Sequence, residues 1–265
     1  MPHATYVFKV IPALNDLRIA ELERLILHEA HDATRLARVR EDIENEGVQR
    51  NPVIVAPYGD LYLVLDGAHR VLAFRELGCR LALVQIVGLP EKAESWGHLL
   101  DATGFQEALR SVEEIEVLEA LPERGCLAEA RFYGGERLFV KARKEGLVSA
   151  VRALQRLQDA YPEGDALVRR VDPGKPIELA VREALLLYRR FTPNELVEIV
   201  SKGGELPAGV TRFVVEERVL NVRYPLGRLA GGELAARNEE LMGFIRRSWK
   251  GNRVRYYGEP VVLFE

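Results

Sequence analysis

Within five consecutive residues, Asp66-Gly67-Ala68-His69-Arg70 offers a carboxylate, a glycine, an imidazole and a guanidinium. The apolar run from Leu61 to Leu65 reads as a strand and the residues from His69 onward as a helix, so this group lies on a strand–turn–helix junction. Such a junction forms an anion site. The first N–H groups of the helix lack intrahelical acceptors, and the positive end of its dipole faces the turn. Gly67 has no Cβ to hold a phosphate away. His69 and Arg70 add donors, and a guanidinium can grip a phosphate through two parallel hydrogen bonds. Asp66 repels phosphate unless a metal ion or a proton lies between them, so it is either a Mg²⁺ ligand or the acidic half of a plain Asp-Gly turn.

His28-Glu29-Ala30-His31 gathers further titratable groups. A zinc reading is disfavoured, because zinc-binding histidine pairs on a helix are spaced as in HExxH and these are one residue closer, ahead of the expected helix. The composition argues for a globular chain: 265 residues, 48% hydrophobic and 29% charged, with a net charge of −3. No overall basic field advertises a nucleic-acid partner. Two cysteines, Cys79 and Cys126, make neither a disulfide framework nor a metal cluster, which fits a reducing cytoplasm. No apolar stretch is long enough for a membrane partner or a signal peptide. Oligomeric state is open, a homodimer included.

The elements that must position these residues follow from periodicity and punctuation. Residues 5–12 suggest a first strand closed by Pro12. Asp32 suits the N-cap of a helix from Ala33 to Glu46, with Leu36, Val39 and Ile43 as its buried stripe and Gly47 as its stop. Residues 52–56 and 61–65 form a hairpin about Tyr58-Gly59-Asp60, the helix after it ends at Gly78, and residues 80–87 return as a strand. Residues 94–100 read as a loop entering a short helix. A second hairpin is expected about Gly134-Gly135, a helix over 147–160, and strands over 166–171 and 184–191. Thr192-Pro193-Asn194-Glu195 is a capping box that opens a helix ending at Gly203-Gly204. A last helix is expected over 233–249 and a strand over 253–264. The reading is an α/β (α+β) chain, with a nucleotide-binding domain at 1–92 and a larger α+β substrate-binding domain at 93–265.

The hairpin, Asp66-Gly67-Ala68-His69-Arg70 and the helix to Gly78 resemble the ParB/sulfiredoxin-like fold. Within that superfamily the chain is most similar to the free L-serine kinases, on Glu29 after a histidine, on Ser95-Trp96-Gly97-His98, and on Gly203-Gly204-Glu205-Leu206-Pro207-Ala208-Gly209-Val210-Thr211-Arg212 followed by Arg218-Val219-Leu220-Asn221. The resemblance spans nearly the whole chain and implies transfer of a phosphoryl group from ATP or ADP to free L-serine, with Mg²⁺. Phosphoryl transfer needs positioning and charge neutralisation, plus a base for the attacking hydroxyl. On this reading Glu29 is the base and Asp66 the Mg²⁺ ligand; Gly67, Ala68, His69 and Arg70 hold phosphate. Arg35 either joins them or stands on an exposed helix face. The resemblance gives the substrate carboxylate to Thr211 and Arg212. Trp96 is a pocket wall or core packing; His98 is a participant or a structural hydrogen-bonder.

Other members of the superfamily offer alternatives. Gly67-Ala68-His69-Arg70-Val71-Leu72-Ala73 fits the GxxRxxA loop of ParB-type CTP clamps, but the chain is mildly acidic and shows no helix-turn-helix after residue 90. Sulfiredoxin chemistry needs a thiol where Ala68 stands.

Overall fold

The structure is a computed structural model that describes residues 11–91, 93–161 and 168–258. The expected strand at 5–12 lies almost wholly outside these residues; Pro12 itself opens a 3-10 turn, Pro12–Asp16. The chain divides into two compact units. One takes its described residues from Met1–Leu25, Thr34–Gly88 and Val215–Glu265, the other from Ile26–Ala33 and Leu89–Val214. A single division at residue 92 cuts the chain differently, because the segment around Glu29 bridges to Leu206 and the segment from Val215 returns to pair with Val48–Gln49.

The first unit begins with β1 (Leu17–Glu21), β2 (Leu25–Ile26), α1 (Ala33–Glu46), β3 (Val48–Gln49), β4 (Val53–Tyr58), β5 (Leu61–Asp66), α2 (Ala68–Glu76) and β6 (Leu81–Ile86). Its sheet runs β1-β6-β4-β5-β2, with β4 and β5 an antiparallel hairpin and β4 parallel to β6. β4 and β6 are buried over most of their lengths, which explains their continuous apolar runs, and Val71, Ala73 and Phe74 give α2 a buried face. α1 matches its expected bounds and ends where Gly47 takes a φ of 64°.

The second unit contains β7 (Glu94–Ser95), β8 (Gly97–Asp101), α3 (Phe105–Ser111), β9 (Ile115–Leu118), β10 (Cys126–Phe132), β11 (Arg137–Ala142), α4 (Leu147–Asp159), β12 (Arg169–Val171), β13 (Glu183–Tyr188), α5 (Pro193–Ser201) and β14 (Thr211–Arg212). Its main sheet runs β12-β8-β13-β10-β11-β9. Residues 94–100 are strand, not a loop entering a helix. β8 lies between β12 and β13, and pairing on both sides decides what a short apolar run leaves ambiguous. Thr192 caps α5 through the full reciprocal box with Glu195.

The chain then returns to the first unit through β15 (Tyr224–Pro225) and α6 (Leu234–Lys250). β15 pairs with β3, and the Asn238 side chain of α6 accepts from Ile19 N at 2.9 Å and donates to Ile19 O at 3.1 Å. Tyr224, Leu229, Leu241 and Ile245 complete one core with Leu17, Ile19, Leu81 and Leu83. The strand expected over 253–264 does not form in its described part: residues 253–258 have no strand partner, and alternation alone does not make a strand. Residues 259–264 lie outside the described residues. No helix among the described residues is long and apolar enough to cross a membrane.

Candidate functional site

Each unit carries one cluster of polar residues that the sequence singles out. In the first, Asp66 ends β5, Gly67 turns the chain with φ 104° and ψ 25°, and α2 starts at Ala68 with no side chain capping it. The opening amides of α2 are therefore left without a side-chain acceptor, the condition that an anion-binding helix start requires. His69 sits half-buried in that first turn. Arg70 is turned toward the fold. Its Nη1 donates to Asn51 O at 2.9 Å and to Pro52 O at 2.6 Å, and its Nη2 lies 3.3 Å from Asp66 Oδ2. A Cβ at position 67 would stand 2.8 Å from Arg70 Nη2, so that close approach and the left-handed φ both demand glycine.

An exposed cation of this cluster is Arg218, whose Nη1 reaches Asp66 Oδ2 at 2.7 Å. Gln85, buried in β6, positions it: its amide donates to Glu217 O at 2.8 Å and accepts from Val219 N at 2.9 Å, gripping the backbone on either side. Asn221 takes a φ of 53°, tolerable for asparagine, and its N–H donates to Asn51 Oδ1 at 2.7 Å. Burial pushes the Asp66 carboxyl up, but Arg70, Arg218 and Arg35 together outweigh it and hold the group below the ordinary carboxylate range. Arg35 thus belongs to this charge cluster. Asp66 stays ionised, and its Oδ1 makes no hydrogen bond or ion pair among the described residues. One ionised carboxylate oxygen is a fit for Mg²⁺ that arrives with nucleotide phosphates. Among the described residues no three His, Cys, Asp or Glu side chains gather to hold a metal by themselves.

In the second unit Glu29 bridges to the chain at Leu206: Ala30 N donates to Leu206 O at 2.7 Å and Leu206 N to His28 O at 2.8 Å. Its carboxylate accepts from Thr211 N and the Thr211 hydroxyl on Oε1, and from Gly209 N at 3.0 Å on Oε2. Because the Thr211 hydroxyl donates to Glu29, its oxygen must accept from His28 Nε2–H, 2.8 Å away. His28 and Thr211 are buried. Thr211 thus holds the Glu29 carboxylate in place through its N–H and its hydroxyl.

Arg212 faces other partners. Its Nη1 pairs with Asp172 Oδ1 at 2.6 Å, and its guanidinium lies 4.8 Å from the ring centre of Trp96. Trp96 is only half-buried, so it is no core residue. His98 is buried and takes the structural role: its Nε2 donates to Gly209 O at 2.9 Å and its Nδ1 accepts from Tyr161 Oη at 2.8 Å. Tyr161 in turn meets Tyr188, to which Gln158 donates at 3.0 Å. Desolvation lowers the His98 pKa to about 4, against a smaller upward pull from Gly209 and aided by the charge of Arg170. The imidazole is neutral near pH 7, and through the Gly209 carbonyl it helps fix the residue whose N–H holds Glu29. Sequence reasoning gave no task to Arg218, Gln85, Asp172, Tyr161 or Tyr188. Only Arg218 carried a signal, as part of the late motif.

No protein-family profile matches the chain. Over 252 residues it is 26% identical to the ATP-dependent L-serine kinase SbnI of Staphylococcus aureus, covering 94% of this chain and 97% of that protein. It is 24% identical over 233 residues to the ATP-dependent L-serine kinase of Staphylothermus marinus, covering 80% and 90%. In fold it is similar to SbnI with a C-terminal truncation, with a TM-score of 0.76 at 21% identity over 89% of this chain and 98% of that one. A free serine kinase in complex with AMP gives a TM-score of 0.62 at 20% identity, over 81% and 93%.

Proposed function

We infer that this chain is a free L-serine kinase, transferring the terminal phosphoryl group of ATP to L-serine to give O-phospho-L-serine and ADP. The observation that carries the reading is its likeness, along nearly its whole length, to a protein named an ATP-dependent L-serine kinase. That name, shared by the second relative, favours ATP over ADP as donor. The first unit is the nucleotide-binding one, of ParB/sulfiredoxin-like type, and the second binds serine.

Glu29 takes the proton of the serine hydroxyl. The freed oxygen attacks the terminal phosphorus while the bond to the bridging oxygen breaks and ADP leaves. A carboxylate has about four acceptor positions, and Gly209 and Thr211 occupy three of Glu29's. That leaves one for the hydroxyl and fixes its direction. Gly67 and the amides of Ala68, His69 and Arg70 receive phosphate, with Arg35 and Arg218 supplying positive charge. Asp66 would hold Mg²⁺, which when bound neutralises charge on the phosphates. Trp96 walls the serine side.

The test is direct: pure protein is incubated with L-serine, Mg²⁺ and either ATP or ADP, and phosphoserine is sought by mass spectrometry. Phosphoserine with ATP is expected. Its absence with both nucleotides would overturn the reading.

A further inference from the structure

A zwitterionic amino acid brings a carboxylate that needs a cation. Of two arginines beside the Glu29 cluster among the described residues, Arg212 has its Nη1 on Asp172. The other is Arg170, on β12, paired in register with His98 of β8. Its guanidinium lies directly on Gly209: a Cβ there would stand 2.4 Å from Nε and 2.6 Å from both Cζ and Nη2. This is the same Gly209 whose N–H donates to Glu29 and whose carbonyl accepts from His98. Gly209 has a φ of 75° and no side chain, so the backbone of the loop makes room for the guanidinium at that spot.

Arg170 is solvent-exposed. Among the described residues its guanidinium forms neither a hydrogen bond nor an ion pair, although its neighbour Arg169 on the same strand pairs with Glu183. Its charge reaches inward all the same, acting on His98, Tyr161 and Tyr188. A planar fork of donors thus stands uncommitted beside the Glu29 cluster, and it matches a carboxylate in geometry and charge.

We propose that Arg170 receives the α-carboxylate of the amino-acid substrate, beside the neighbouring Arg212, whose Nη1 is engaged by Asp172. The assignment rests on the serine-kinase reading. It makes Arg170 a specificity residue: substrates that lack the carboxylate lose its contribution.

The experiment compares steady-state kinetics on L-serine and on L-serinamide, in which a neutral amide replaces the carboxylate, for wild type, R170M, R170K and R212M. Wild type is expected to prefer L-serine. In R170M the KM for L-serine should rise by roughly tenfold or more, the loss of a charge-assisted contact, with kcat and ATP affinity within about twofold of wild type. The KM for L-serinamide should not move, so the preference collapses. R170K, which keeps the charge without the fork, should fall between. Thermal melts of all variants control for folding, and R170K carries the test if R170M melts early. The assignment is overturned if R170M and R170K keep the wild-type preference, or if R212M alone abolishes it. Failure of wild type to phosphorylate either compound would overturn the kinase reading, and the assignment with it.

Discussion

On the proposed reading, Glu29 is a side chain held in place before any substrate arrives. Its two oxygens are held by Thr211, which lies 182 residues downstream, and by Gly209. Glu29→Gln keeps much of the shape and removes the proton acceptor. Phosphoserine formation should fall by about a hundredfold or more, the usual scale for a lost general base, while ATP affinity measured by calorimetry stays near wild type. Turnover at the wild-type rate would remove Glu29 from that role. His98 gives a pH signature. Its pKa is about 6.5 when unfolded and about 4 when folded, so the unfolded state binds more protons between those values. Its contribution to stability is complete above the unfolded value and is lost as pH falls toward the folded one. Relative to His98→Gln, denaturant titrations of wild type should therefore show stability falling over this window by at most about 3 kcal/mol. The strand, turn and helix about Asp66 and Gly67 were legible because their signals are local. The hydrogen-bond partners of Thr211, Arg70 and His98 were not, since each depends on which groups the fold brings within reach.

At the scale of elements, local signals were read well where they were self-contained. The capping box of α5, the left-handed glycine after α1 and the β4–β5 hairpin all lie within a few residues of their own partners. β8 escaped because its identity comes from β12 and β13 on either side. The segment carrying Arg218 has no regular structure of its own, and Gln85 of β6 supplies its fixed point. If that grip serves to present Arg218, then Gln85→Leu and Arg218→Ala should each weaken ATP binding by roughly tenfold, as expected for a charge-assisted contact. The double variant should be little worse than either single one. Strictly additive losses in calorimetry would mean that Gln85 acts some other way.

For the molecule as a whole, the first unit is built from both ends of the chain. Tyr224, Leu229, Leu241 and Ile245 sit in one core with Leu17, Ile19, Leu81 and Leu83. A chain stopped after Val214 would leave that core open on one side. It should show no cooperative melt for the first unit by circular dichroism and should bind ATP far more weakly than the full chain. A truncated protein with wild-type ATP affinity would contradict this. The same arrangement sets an order of events at the ribosome. Every described residue of the second unit has been synthesised once Val214 emerges, whereas the first strands of the chain must wait for α6. At ordinary elongation rates that wait is on the order of seconds. During it β1 exposes an apolar edge in a nascent polypeptide, where trigger-type chaperones would be expected to engage.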